Sequence, residues 1–183
     1  MIPNWVDLET FPYRPHALHK PVAVGLIGQV SPHKGHEDAI EAMRELGSDF
    51  RLLIAGKGDA AYKAKLRKKA VGLQVEFTGF VALPEFFDET DVLILPSWNE
   101  PFGIILLEAM ASGIPVIGTG PREILHGTSV PPRDPPALAQ AIRSLSADKI
   151  VESARKHVEK NFDIRTVIPQ IEKFYRRICT PKG

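Results

Sequence analysis

The strongest constraint on this chain is a rhythm of short apolar run, loop and helically spaced stretch, which recurs five times. "VAVGLI", Val22 to Ile27, is followed by "GQVSPHKG" and then by "HEDAIEAMRELG", where Ala39, Ile40, Met43 and Leu46 share one helical face. "FRLLIAG" precedes "KGDAAYKAKLRKKAVG", "QVEFTGF" precedes "LPEFFDET", "DVLILPS" precedes "FGIILLEAMASG", and "IPVIGTG" precedes "PREILHG". Such alternation with few hairpin signals predicts parallel strands joined by helical crossovers. The class is α/β, a Rossmann-like parallel sheet flanked by helices, and ligands of such sheets bind beyond the carboxyl ends of the strands. Here those ends are the loops after Ile27, Ala55, Phe77, Pro96 and Ile117.

Outside the rhythm the pattern changes. Residues 1–21 carry Pro3, Pro12, Pro15 and Pro21 and read as a hinge or linker arm. Residues 22–160 form the domain. From "PPRDPPALAQAIRSLSADKIVESARKHVEKNF" to "IRTVIPQIEKFYRRI" the pattern is helical, without strand runs and interrupted at Pro169. These helices are expected over one edge of the sheet or on a neighbouring domain, with residues 161–183 as the last of them.

Composition narrows the partners. Lys+Arg 23 against Asp+Glu 22 leaves a net charge of +1, so no global field draws in nucleic acid or a membrane surface. The basic strip "KAKLRKK" is then a solvated helix face. Cys179 is the one cysteine, which excludes an internal disulfide framework, and no apolar run approaches the roughly 18 residues of a membrane span. A cytoplasmic location is the default expectation. The six histidines show no HxH or HExxH arrangement, and no metal is expected. "AGKGDAA" lacks the third glycine of a dinucleotide fingerprint and reads as a turn capped by Asp59. His33 and His36 fit a polar loop and a first helical turn.

The informative stretch is "NEPFGIILLEAMASG". Glu100 lies in a ligand-side loop, Gly103 at the start of a helix, and Glu108 a turn into it, with its side chain tilted back toward the same mouth. A helix start offers unpaired N–H groups and partial positive charge, which suits a phosphate, and a glycine lets the backbone approach it. Two acids flanking such a centre suit the hydroxyls on either side of a phosphate. The spacing alone equally fits a capping Glu100 and a solvated Glu108.

"PSWNEPFGIILLEAMASGIPVIGT" resembles the E-x7-E signature of the large retaining glycosyltransferase group of GT-B fold (glycosyltransferase family 4), which includes glycogen synthases, sucrose-phosphate synthases and mannosyltransferases. "IPNWVDLETF", "GQVSPHKGHEDAIEAM", "VEFTGFV", "LPEFFDETDVLILPS" and "GPREIL" follow in the order of that group. The resemblance implies a hexosyl glycosyltransferase using a UDP- or GDP-linked sugar as substrate, with no cofactor. It also implies that the chain is one half of a GT-B fold, the carboxyl-terminal donor half, and that the amino-terminal acceptor-binding domain, with any membrane contact, is absent from it. Position by position, it implies that Glu108 holds the ribose, Glu100 contacts the donor sugar and Lys34 neutralises the diphosphate. Glu100 and Lys34 are thus the implied catalytic groups. Backbone N–H groups of Phe102, Gly103 and Ile104 would hold sugar and diphosphate, and the backbone at Phe80 and Val81 would flank the base. One position departs: Gln29 stands where the group usually has a diphosphate-binding arginine, and glutamine keeps a donor without the charge or the fork. The hinge has Trp5 where glycine is common, and "HGTSVPPRDPP" is short for the group. A non-catalytic nucleotide-binding module, or an epimerase or phosphorylase of similar fold, are the alternatives, since fold does not fix reaction. The isolated domain is expected to be inactive, with an exposed apolar surface around Trp5, Phe11 and the last helix.

Overall fold

The computed structural model describes residues 4–14, 18, 20–100, 103–120, 127–145 and 147–179. The strands are β1 (Val22–Ile27), β2 (Phe50–Ala55), β3 (Val75–Gly79), β4 (Val92–Leu95), β5 (Val116–Gly118) and β6 (Thr128–Ser129). They form one parallel sheet in the order β3-β2-β1-β4-β5-β6. The helices are α1 (His36–Leu46), α2 (Ala60–Lys69), α3 (Leu83–Asp88), α4 (Ile104–Ser112), α5 (Pro135–Arg143), α6 (Ala147–Asn161) and α7 (Ile164–Cys179), with a 3-10 turn at Pro32–Lys34.

Both faces of the sheet are covered, and the two-residue period of the strands sorts their side chains between the faces. Val22, Val24 and Leu26 join Leu52, Ile54, Val92, Ile94 and Ile117 in a core shared with α1, α2 and α5. Their neighbours Ala23, Leu53, Ala55, Leu93, Leu95 and Val116 face the opposite core, built with α3, α4 and α6. The strands are therefore apolar at nearly every position. That explains why continuous runs such as "VLIL", rather than alternating ones, marked them in the sequence.

Three expectations change on contact with the structure. Pro169 does not interrupt the last helix: α7 runs through it. Pro169 is exposed, so the carbonyl that loses its intrahelical donor can turn to water. The helices after residue 134 do not gather at one edge; α5 packs on α1 and α6 on α4, one on each face, because each buries an apolar stripe of its own (Leu138, Ala139, Ile142; Val151, Ala154, Val158). Phe11 is buried rather than exposed, its ring 6.0 Å from that of Phe87. The arm residues 4–14 lie on the domain: the Val6 N–H donates to the Phe162 carbonyl at 2.8 Å, and the Ile164 N–H to the Val6 carbonyl at 3.0 Å. The strand β6 had no signal in the sequence, since two residues carry no periodicity. The helix expected over "PREIL" falls at 121–126, outside the described residues.

Candidate functional site

The chain runs outward from β1 to β2 and β3, then returns to place β4 on the other side of β1. The crevice of a doubly wound sheet opens where that direction reverses, between the carboxyl ends of β1 and β4. The loops leaving these two strands carry Lys34 and Glu100. Gly35 lets the loops meet: at φ 71 its Cα lies so close to β4's exit that a Cβ would sit 2.0 Å from the Pro96 carbonyl oxygen. The Trp98 N–H then donates to the His33 carbonyl at 2.8 Å.

Lys34 Nζ lies 2.9 Å from Glu100 Oε2. Their side chains are only 28% and 10% exposed, so this pair is shielded from water and stronger than a surface ion pair. His36, one residue beyond Gly35, adds no charge. Its ring is fully buried, with Nδ1 3.2 Å from the Ser31 carbonyl oxygen, and burial pushes its pKa down to about 4.

Helix α4 starts in the same crevice. Gly103, at φ 70 and ψ 64, is its N-cap; no side chain caps the helix, and no acid stands in its first turn. By contrast α2 and α5 are capped by Asp59, which accepts from the Tyr62 N–H at 2.8 Å, and Asp134, which accepts from the Ala137 N–H at 3.0 Å. The Leu106 N–H already donates to the Gly103 carbonyl at 2.8 Å, and the dipole of α4 favours an anion at the amides before it. Glu108 is half-buried on this helix, and burial raises its carboxyl pKa above the ordinary range. It takes no part in the Lys34–Glu100 pair.

A cavity of about 300 Å³ opens beyond β1, β2 and β3, lined by Ile27, Gly28, Gln29, Gly56, Lys57, Phe80 and Val81. Three predicted residues, Gln29, Phe80 and Val81, thus share one hollow. Phe80 is 76% exposed, a flat apolar face with Lys57 Nζ 5.0 Å from its ring centre. The sequence reading missed Lys57, because "AGKGDAA" reads as a capped turn. That turn is present, and its position after a strand end was the signal that it also borders this hollow, whose lining includes neither Lys34 nor Glu100. Phe102 lies outside the described residues, while Gly103 and Ile104 stand at the mouth of α4. Trp98 and Arg133, also missed, meet beside the loop of Glu100, with the guanidinium 4.0 Å from the ring centre. A second cavity of about 300 Å³, between the arm and the ends of α3 and α4, holds none of these residues. Among the described residues no group of three or more His, Cys, Asp or Glu converges, and no helix is long and apolar enough to cross a membrane.

Residues 21–148 match the glycosyl transferases group 1 family. The chain is 33% identical, over 79% of its length and 42% of the relative's, to the GDP-mannose-dependent alpha-(1-6)-phosphatidylinositol dimannoside mannosyltransferase of Mycobacterium tuberculosis. It is 31% identical to the glycogen synthase of the same species, over 96% of this chain and 47% of that one. The chain spans about half the length of the curated relatives it matches. Sucrose-phosphate synthase from Thermosynechococcus elongatus superposes with a TM-score of 0.82 at 25% identity, over 97% of this chain and 52% of that one. HepE from Anabaena, solved in complex with UDP and glucose, superposes with a TM-score of 0.84 at 22% identity, over 96% of this chain and 56% of that one. The parallel sheet with helices on both faces is the fold of these GT-B glycosyltransferases. The chain belongs to the glycosyl transferases group 1 family.

Proposed function

We propose that this chain is the nucleotide-sugar half of a retaining hexosyltransferase, which binds a UDP- or GDP-linked hexose and completes its cleft with an acceptor-binding domain. The observation that carries the reading is the meeting of Lys34 and Glu100 at 2.9 Å across the switch point of the sheet, beside the uncapped start of α4. A diphosphate there takes the Lys34 ammonium and the first amides of α4. Phe80 and the backbone at Val81 flank the base, Glu108 accepts from the ribose, and Glu100 accepts from the hexose. When the bond between the anomeric carbon and the diphosphate oxygen breaks, negative charge grows on the leaving group. Donors fixed in a closed cleft stabilise that charge without reorganising, and no metal is needed for it. Gln29 borders the hollow but brings no charge, and the cation lining that hollow is Lys57, so the charge opposite the diphosphate rests on Lys34.

Along α7 an apolar stripe passes from buried Val167 through half-buried Ile171 to Phe174 and Ile178, which are 42% and 55% exposed. This stripe and Trp5, 42% exposed, supply the face on which the acceptor half docks. Incubating the purified chain with radiolabelled UDP- and GDP-hexoses and a panel of sugar and lipid acceptors tests the proposal. It predicts bound donor and no transfer. Robust transfer by the chain alone would contradict the half-enzyme reading, and absence of any nucleotide or donor binding would contradict the donor reading itself.

A further inference from the structure

Two residues before Glu100, the loop carries a side chain that the donor reading leaves unused. Trp98 is held from three sides. Its main-chain N–H donates to the His33 carbonyl, one residue from Lys34, at 2.8 Å. Its indole Nε1–H donates to Asp38 Oδ2 on α1, also at 2.8 Å. The Arg133 guanidinium lies over its ring at 4.0 Å. The residue before it, Ser97, has its carbonyl bonded by the Thr119 hydroxyl at the end of β5. The lower half of this loop is therefore fastened to α1, to the turn that bears Lys34, and to the segment entering α5.

Arg133 is unusual for its backbone as well. At φ 59 it is the one non-glycine residue with positive φ among those described. A side chain in that region is strained, and glycine or asparagine fits it at lower cost. Its position is nonetheless fixed, because the next residue, Asp134, caps α5, and α5 packs on α1. Arginine at a site that favours glycine calls for a use of the side chain, and among the described residues the contact the structure gives this one is the face of Trp98. A guanidinium over indole is attractive, most so for tryptophan among the aromatic residues.

We propose that Arg133 and Trp98 are positioning residues for the donor site: Arg133 presses Trp98 onto α1, and Trp98 thereby sets the spacing between Lys34 and Glu100. The proposal rests on the donor reading above. Neither residue touches the sugar nucleotide. They act through the two loops that do.

Arg133→Gly separates this role from a merely structural one, because glycine relieves the backbone strain while removing the guanidinium. The expected result is a melting temperature equal to or above that of the unsubstituted chain. Hydrogen exchange at the Trp98 amide should nevertheless be about three- to tenfold faster, and affinity for UDP or GDP, whichever the chain binds, weaker by a similar factor. Arg133→Lys, which keeps a cation over the ring, should recover part of both effects. Trp98→Phe, which keeps the ring but loses the bond to Asp38, should lower affinity without changing which nucleotide is preferred. Unchanged exchange in Arg133→Gly overturns the proposal, as does faster exchange with unchanged affinity. If the chain binds neither nucleotide the donor reading fails, and exchange at Trp98 still decides whether Arg133 holds this loop.

Discussion

Lys34 and Glu100 each have the other as a charged partner at 2.9 Å, so a diphosphate that takes the ammonium competes with a carboxylate already seated on it. On the proposed reading Glu100 has two opposed effects: it occupies Lys34 when only a nucleoside diphosphate is present, and it offers an acceptor when a hexose is attached. Glu108 differs, because burial alone acts on it and raises its pKa. Between the ordinary value of 4.5 and this raised value the folded chain binds more protons than the unfolded one, so stability falls as pH rises through that window. Above it the ionised carboxylate is a standing cost, which the proposed reading attributes to a charged acceptor gripping ribose hydroxyls better than a neutral one. Glu108→Gln should raise the melting temperature at pH 7, flatten its decline above pH 4.5, and weaken UDP or GDP binding. Thermal melts across pH with titrations at pH 7 check this, and a lower melting temperature at pH 7 would show that the carboxylate is structurally satisfied. That Glu100 and Lys34 meet was legible only through the family resemblance, and spacing alone did not separate a ligand-facing Glu108 from a solvated one. Arg133 was not, since neither its left-handed backbone nor its stack on a residue 35 positions earlier leaves a trace in local sequence.

At the scale of elements, helix starts divide by purpose. α2 and α5 begin with an aspartate that accepts from their own amides, while α4 begins at a left-handed glycine with no side-chain cap. Asp59→Ala should cost about 1 kcal/mol of stability and leave nucleotide affinity unchanged, as loss of a cap does. Gly103→Ala should cost about 1 to 3 kcal/mol. It forces a left-handed backbone on alanine, and the new Cβ would approach Leu106 Cδ1 at 2.9 Å and Leu95 Cδ2 at 3.2 Å. It should also lower affinity, since it shifts the amides at the mouth. Denaturant melts paired with titration read both, and equal loss of affinity in the two variants would deny α4 its special role. The central strands were readable because β1, β2, β4 and β5 are largely continuous apolar runs, and α1, α4 and α5 because each buries several apolar residues. β6 was not readable, being only two residues long. The course of α7 through Pro169 was misread because a proline breaks a helix only where the freed carbonyl cannot reach another partner.

At the scale of the whole molecule, the arm and the last helix are joined. The Val6 bridge to Asp163 brings the start of the described chain beside the start of α7, so Trp5 and the apolar stripe of α7 emerge from the domain together. A partner domain connected through the arm would meet both. The fold and the family are common to many sugar transferases, and the proposed reading adds, for this chain, that the cation facing the donor diphosphate is Lys34, with uncharged Gln29 bordering the neighbouring hollow. The central claim is that this cation, released from Glu100, holds the donor diphosphate. The most direct measurement is the calorimetric dissociation constant of UDP and of GDP for the chain, for Lys34→Ala and for Glu100→Gln. The account predicts opposite shifts: Lys34→Ala weakens whichever nucleotide binds by about 1.5 to 3 kcal/mol, and Glu100→Gln tightens it because the ammonium is set free. Nucleotide binding that is indifferent to both substitutions, or that weakens equally in both, would contradict it.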